Sequence, residues 1–156
     1  ITMFQNFKFG ALVELDDNQF IPYSARFVMG GTGIPYGEML RGYVDNGIGP
    51  KRINSGYLSS DGGKVMFKYS MELRYKFSDS PTIYGLVFAE AGNVWKDFNS
   101  TDIFNLKRSM GLGVRIFMPM LGMLGYDIGY GFDSIYDNAD SSSRWEHHLI
   151  FGMPMN

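Results

Sequence analysis

From Val65 to Phe77 the chain alternates. Val65, Phe67, Tyr69, Met71, Leu73, Tyr75 and Phe77 take every second position, and Met66, Lys68, Ser70, Glu72, Arg74 and Lys76 fill the places between. Successive side chains of a strand point to opposite faces, so this period predicts a strand with one apolar and one polar face. It is longer than most strands of soluble proteins. The same pattern, less cleanly, predicts strands at Phe7 to Glu14, Thr82 to Trp95, Ser109 to Met118, Met123 to Phe132 and Trp145 to Met153, six in all. Phe20 to Val28 reads as extended, but Pro22 argues against a central place in a sheet.

The connections also alternate. Ser78-Asp79-Ser80-Pro81 and Pro119-Met120-Leu121-Gly122 are tight turns, whereas Lys96 to Leu106 and Asp133 to Ser143 are longer and polar. Asp16-Asp17-Asn18 is turn chemistry. One connection stands apart: Gly30 to Gly63 has no sustained period and is rich in glycine. A loop of that length in a strand-rich chain is functional or disordered. This one is too aromatic and too poor in charge for a disordered tail. It is expected to be ordered and to carry the function.

Composition moves the reading from a soluble sandwich towards a membrane protein. Of 156 residues, 13 are Phe, 10 Tyr and 20 Gly, yet mean hydropathy is −0.12. No run approaches the ~18 apolar residues of a membrane-crossing helix. Aromatic, glycine-rich, alternating and only moderately hydrophobic is the profile of an antiparallel transmembrane β-barrel, whose connections are long on one side and short on the other. The smallest such barrels have about 8 strands. Six are too few to close, so residues 1–156 are expected to be the C-terminal part of one larger barrel domain, with its N-terminal strands missing.

Other function classes recede. A net charge of −2 gives no footprint for nucleic acid. There is no cysteine, hence no disulfide framework and no thiolate metal site. His147 and His148 are strand neighbours pointing to opposite faces, so they cannot chelate together. No nucleophile elbow, phosphate loop or ligand-spaced histidine cluster is present. No enzyme activity, metal or cofactor is expected.

Four short segments carry a resemblance. Leu40-Arg41-Gly42-Tyr43, with Gly30-Gly31 before it and Ile48-Gly49-Pro50 after it, is similar to the V/L-R-G-F/Y loop of the BamA superfamily. Phe88-Ala89-Glu90-Ala91-Gly92-Asn93-Val94-Trp95 resembles its F-x-D-x-G-x-x-W strand, and Arg108-Ser109-Met110-Gly111-Leu112-Gly113 its R-x-S-x-G-x-G strand. The order and spacing match over nearly the whole chain. The resemblance implies a 16-stranded barrel in the bacterial outer membrane, preceded by POTRA domains, that folds and inserts other β-barrel proteins or translocates proteins. It implies lipid, unfolded β-barrel clients and accessory lipoproteins as partners. It also implies a loop folded back into the lumen, its Arg41 meeting Phe88 and Glu90 on the Gly92 strand. Two departures stand out: Glu90 replaces the family's usual Asp, and the chain ends Gly152-Met153-Pro154-Met155-Asn156 without a terminal aromatic.

The residues agree with that carry-over. Phe88 and Glu90 share a face. A desolvated arginine needs a carboxylate, and its planar fork can lie over a ring. Gly42 permits close backbone approach. Glu72, Arg74, Arg115 and Asp127 are read as ordinary polar residues of the inner face. Trp145, Leu149 and Phe151 mark the closing strand, a weakly paired edge on which a client strand could add. The competing readings are a sister translocation pore (TamA-like or two-partner secretion), a passive porin or adhesin barrel, and a soluble interaction module.

Overall fold

The structure, a computed structural model, describes residues 1–15, 20–34, 36–50, 60–120, 122–135 and 144–152. The alternating segments become six strands: β1 (Thr2–Ala11), β2 (Val65–Asp79), β3 (Thr82–Trp95), β4 (Lys107–Met118), β5 (Gly122–Gly131) and β6 (Trp145–Gly152). Each pairs antiparallel with its neighbour in sequence, giving one meander in the order β1-β2-β3-β4-β5-β6. Strand β1 begins before its alternation does. It is drawn along β2, with Thr2 opposite Arg74 and Ala11 opposite Val65. Phe20 to Val28 forms no strand; it holds a 3-10 turn at Tyr23–Ala25 and a single bridge from Phe27 to Gly63. Asp16, Asp17, Asn18, Leu121, residues 136–143 and the end from Met153 onward lie outside the described residues.

The barrel expectation is overturned. Among the described residues β1 and β6 are the outer strands of a sheet that does not close, and nothing supports a 16-stranded barrel. The physical reason is strand number: closure takes roughly 8 strands at least.

The sheet is inside-out relative to a soluble sandwich. Its polar face is the buried one: Lys68, Ser70, Glu72, Glu90, Ser109, Arg115, Asp127 and His148 are all buried. Its apolar face is open, with Leu73, Val87, Leu112, Val114 and Leu149 exposed. The long connection from β1 to β2 covers the polar face. It folds on itself through bridges Met29–Glu38, Met29–Ile48 and Gly31–Leu40. Its Met29, Leu40, Tyr43 and Ile48 form an apolar cluster with Met66 and Val94 of the sheet. Fully burying a side chain such as Leu40 or Ile48 contributes about 1.5–3 kcal/mol. That apolar half anchors the loop and leaves its charged half to set the geometry.

Candidate functional site

Strand register assembles the floor of the site. Glu72, Phe88, Gly111 and Gly129 are successive cross-strand partners, as are Ser70, Glu90, Ser109 and Gly131. A third row runs Arg74, Leu86, Gly113, Asp127, His148. Three carboxylates from three different strands therefore reach one face, around a phenylalanine and a bare run of glycines.

Arg41 enters from the loop into the middle of these rows and is 2% exposed. Its Nη2 donates to Glu72 Oε1 and to Glu90 Oε1, both at 2.7 Å, and its Nη1 donates to Asp127 Oδ2 at 3.0 Å. Its backbone N–H donates to Glu90 Oε2 at 2.8 Å. The guanidinium carbon sits 3.7 Å from the centroid of the Phe88 ring. Nε is buried with no acceptor. Burial works against the charge, but Glu90, then Glu72 and Asp127, outweigh it and raise the pKa.

Each carboxylate also has a cation from the sheet itself. Arg74 lies 2.7 Å from Glu72, Arg115 Nη2 donates to Asp127 at 2.7 Å, and Lys68 stands 3.8 Å from Glu90. The face is close to neutral before the loop arrives. A buried network of this kind fixes an arrangement more than it adds net stability.

Gly42 takes the backbone down to the sheet. Its φ is +84°, a conformation that suits glycine. Its N–H donates to His148 Nε2 at 3.0 Å. The floor beneath it must be bare too: a Cβ on Gly129 would stand 2.5 Å from Gly42 N. Tyr43 ties the next residue to the top of the sheet. Its hydroxyl donates to the Arg108 carbonyl at 2.5 Å and accepts from Asp133 N at 3.3 Å. Burial pushes the Tyr43 phenol up to about 12. The Arg108 side chain, hydrogen-bonded to Asp133, holds that carboxyl below its usual range.

The family model of the Omp85 superfamily domain matches residues 1–149. The chain belongs to the Omp85 superfamily. That superfamily is associated with outer-membrane protein biogenesis, its members are typically located in the outer membrane, and they work with membrane lipids and client proteins as non-catalytic assembly factors. The match is to the superfamily as a whole and assigns no position within a barrel. No curated protein matches the chain.

Within this Omp85 domain, the residues singled out by sequence divide. Leu40, Arg41, Gly42, Tyr43, Phe88 and Glu90 meet in one place. Leu40 turns away from the charges into the apolar cluster. Gly92 seats that cluster: a Cβ there would meet Met29 Sδ at 2.8 Å. Trp145, Leu149 and Phe151 lie on the outer face of the β6 edge, all exposed, and are not brought to the site. Glu72, Asp127 and Arg115, which read from sequence as ordinary polar residues of the inner face, belong to the site, as does His148; the first two bind Arg41 directly. Two signals could have found them. Carboxylates recur at inward positions of β2, β3 and β5, and inward glycines in β4 and β5 mark a close backbone approach. Among the described residues no group of His, Asp or Glu could hold a metal; the acids are taken up by arginines.

Proposed function

We propose that this Omp85 chain forms part of a factor that folds and inserts β-barrel proteins into the outer membrane, with no chemical catalysis and no cofactor. The observation that carries the reading is an apolar-out sheet whose last strand, β6, pairs on one side only, with β5, among the described residues, while a docked loop seals the charged face. Unpaired backbone in lipid costs several kcal/mol per group. An edge in that position calls for a strand, and an unfolded client can supply one by β-augmentation. The Leu40-Arg41-Gly42-Tyr43 loop acts as the brace, holding β2, β3 and β5 in register while the edge exchanges partners. Upstream POTRA domains and accessory lipoproteins belong to the same reading, as the parts that deliver clients.

The test uses the full-length protein in lipid vesicles with an unfolded small outer-membrane protein as client. The chain contains no cysteine, so a single Leu149→Cys on β6 gives a clean cross-linking site. Faster client folding, with a cross-link from position 149 to the client's terminal strand, is the expected result. Ion conductance with neither faster folding nor a cross-link would instead identify a passive pore. Export of a soluble protein without client insertion would identify a secretion pore.

A further inference from the structure

We infer that His148 is a proton-released latch joining the edge strand β6 to the loop. When neutral it holds Gly42, and when protonated it lets go.

The geometry fixes the role. His148 lies on the inner face of β6, directly opposite Asp127, and is 5% exposed. Its Nε2 accepts the Gly42 N–H at 3.0 Å. An imidazole nitrogen accepts only when it carries no proton, so the docked state requires the neutral ring with its hydrogen on Nδ1. Protonation makes both nitrogens donors and sets one N–H against another. Gly42 cannot respond by sliding, because Gly129 and Gly131 lie against its backbone. Burial is the largest influence on the ring and favours the neutral form that holds Gly42. Asp45 from the loop, Asp127 from β5 and Glu90 from β3 pull the other way, and Arg41 sides with burial. Glu146 precedes it by two positions on the same strand. Those acids are already engaged: Asp127 with Arg41 and Arg115, Glu90 with Arg41, Asp45 with Thr32 at 2.7 Å and 3.0 Å. They attract a proton to the ring without replacing the acceptor that Gly42 loses. His147, by contrast, faces outward, its Nδ1 2.7 Å from the Tyr126 hydroxyl, and takes no part.

The latch connects two things the rest of the site keeps apart. Arg41 ties the loop to β2, β3 and β5 but not to β6. His148 makes the lie of the edge strand depend on the loop, and the loop sense the edge strand. This rests on the reading of the docked loop as the working part of the site.

Spin labels at Tyr36→Cys in the loop, 86% exposed, and Leu149→Cys on β6, 57% exposed, report the separation in the full-length protein in vesicles. At about pH 7.5 one narrow distance is expected, and at about pH 5, below the ordinary histidine pKa, a second and broader population. His148→Gln places a non-titrating carbonyl oxygen near the position of Nε2, and should keep the narrow distance at both pH values. His148→Phe should show the broad population at both. An unchanged wild-type distance across this range overturns the latch, and so does a Gln variant that follows the wild type. Client folding measured alongside separates the two ideas. A pH-dependent distance without client acceleration removes the function and keeps the latch; acceleration without a distance change does the reverse.

Discussion

Replacing Arg41 with alanine should destabilise the docked loop by about 3–5 kcal/mol, the usual consequence of removing one partner from a buried ion pair. The structure places the loss near the lower end. Glu72 keeps Arg74 at 2.7 Å and Asp127 keeps Arg115 at 2.7 Å, so neither is abandoned. Glu90 fares worst: beyond the backbone N–H of residue 41 it is left with Lys68 at 3.8 Å. Contact with the Phe88 ring, worth up to about 2 kcal/mol when desolvated, goes as well. The informative quantity is therefore not the single loss but the ranking of couplings. Double-mutant cycles pairing Arg41→Ala with Glu90→Gln, Glu72→Gln and Asp127→Asn should give unequal interaction energies. Couplings within such networks run from about 0.5 to 3 kcal/mol; Glu90 is expected at the top and the other two near the bottom. Urea unfolding of the full-length protein in detergent, followed by the fluorescence of Trp95, supplies the midpoints; that indole is 7% exposed in the docked state. Additive effects throughout would refute the network. Equal couplings for all three acids would refute the claim that the sheet's own cations decide the magnitude.

Gly129→Ala should expel the loop without touching a charge. The added methyl would stand 2.5 Å from Gly42 N, a backbone atom that cannot rotate away, and overpacking of this kind costs about 1–3 kcal/mol; Gly152→Ala, with nothing within 4 Å, is the matched control, and equal midpoints for the two would disprove the close approach. The Arg108–Asp133 clamp beside Tyr43 should fail only in strong acid. The Asp133 pKa is lowered in the folded state, so its contribution is complete above the ordinary value of about 3.9 and is lost as pH falls through the lower folded value. Amide-exchange protection at Arg108 and Tyr43, corrected for the intrinsic pH dependence of exchange, should thus stay constant down to about pH 4. Asp133→Asn should remove the acid step, and a step that persists in that variant would assign it to another group.

The strands and their faces were legible because alternation is a local property: β2 declares both faces within its own length. Register across strands is not local. Glu72, Glu90 and Asp127 each look like one inward acid on one strand, and only pairing through Phe88, Gly111 and Gly129 gathers them under Arg41. The segment 20–28 misled for a different reason. It reads as extended, yet a 3-10 turn interrupts it at Tyr23–Ala25, where Arg26 lies over the rings of Phe20 and Tyr23, at 4.9 Å and 4.4 Å. The role of His148 was invisible because its partner, Gly42, is 106 residues away. The 16-stranded barrel came from a family resemblance that describes a whole barrel, whereas the described residues supply six strands, a number too small to close.

Because each buried carboxylate has a cation on its own or a nearby strand, the order in which the molecule assembles is constrained. Hairpins β2-β3, β3-β4, β4-β5 and β5-β6 each join strands that are neighbours in sequence, and their pairing leaves no stranded charge to hold them back. Loop docking joins Arg41 to Asp127 across 86 residues and Gly42 to His148 across 106. Contacts that distant carry the larger entropy of closure and form late. The meander is therefore expected to zip first and the loop to settle onto it last. For as long as that takes, the charged face is open to water and the strands can still shift their register. Arg41 is then less a foundation of the sheet than the final check on its alignment, because it can be seated only when three strands have already been paired correctly.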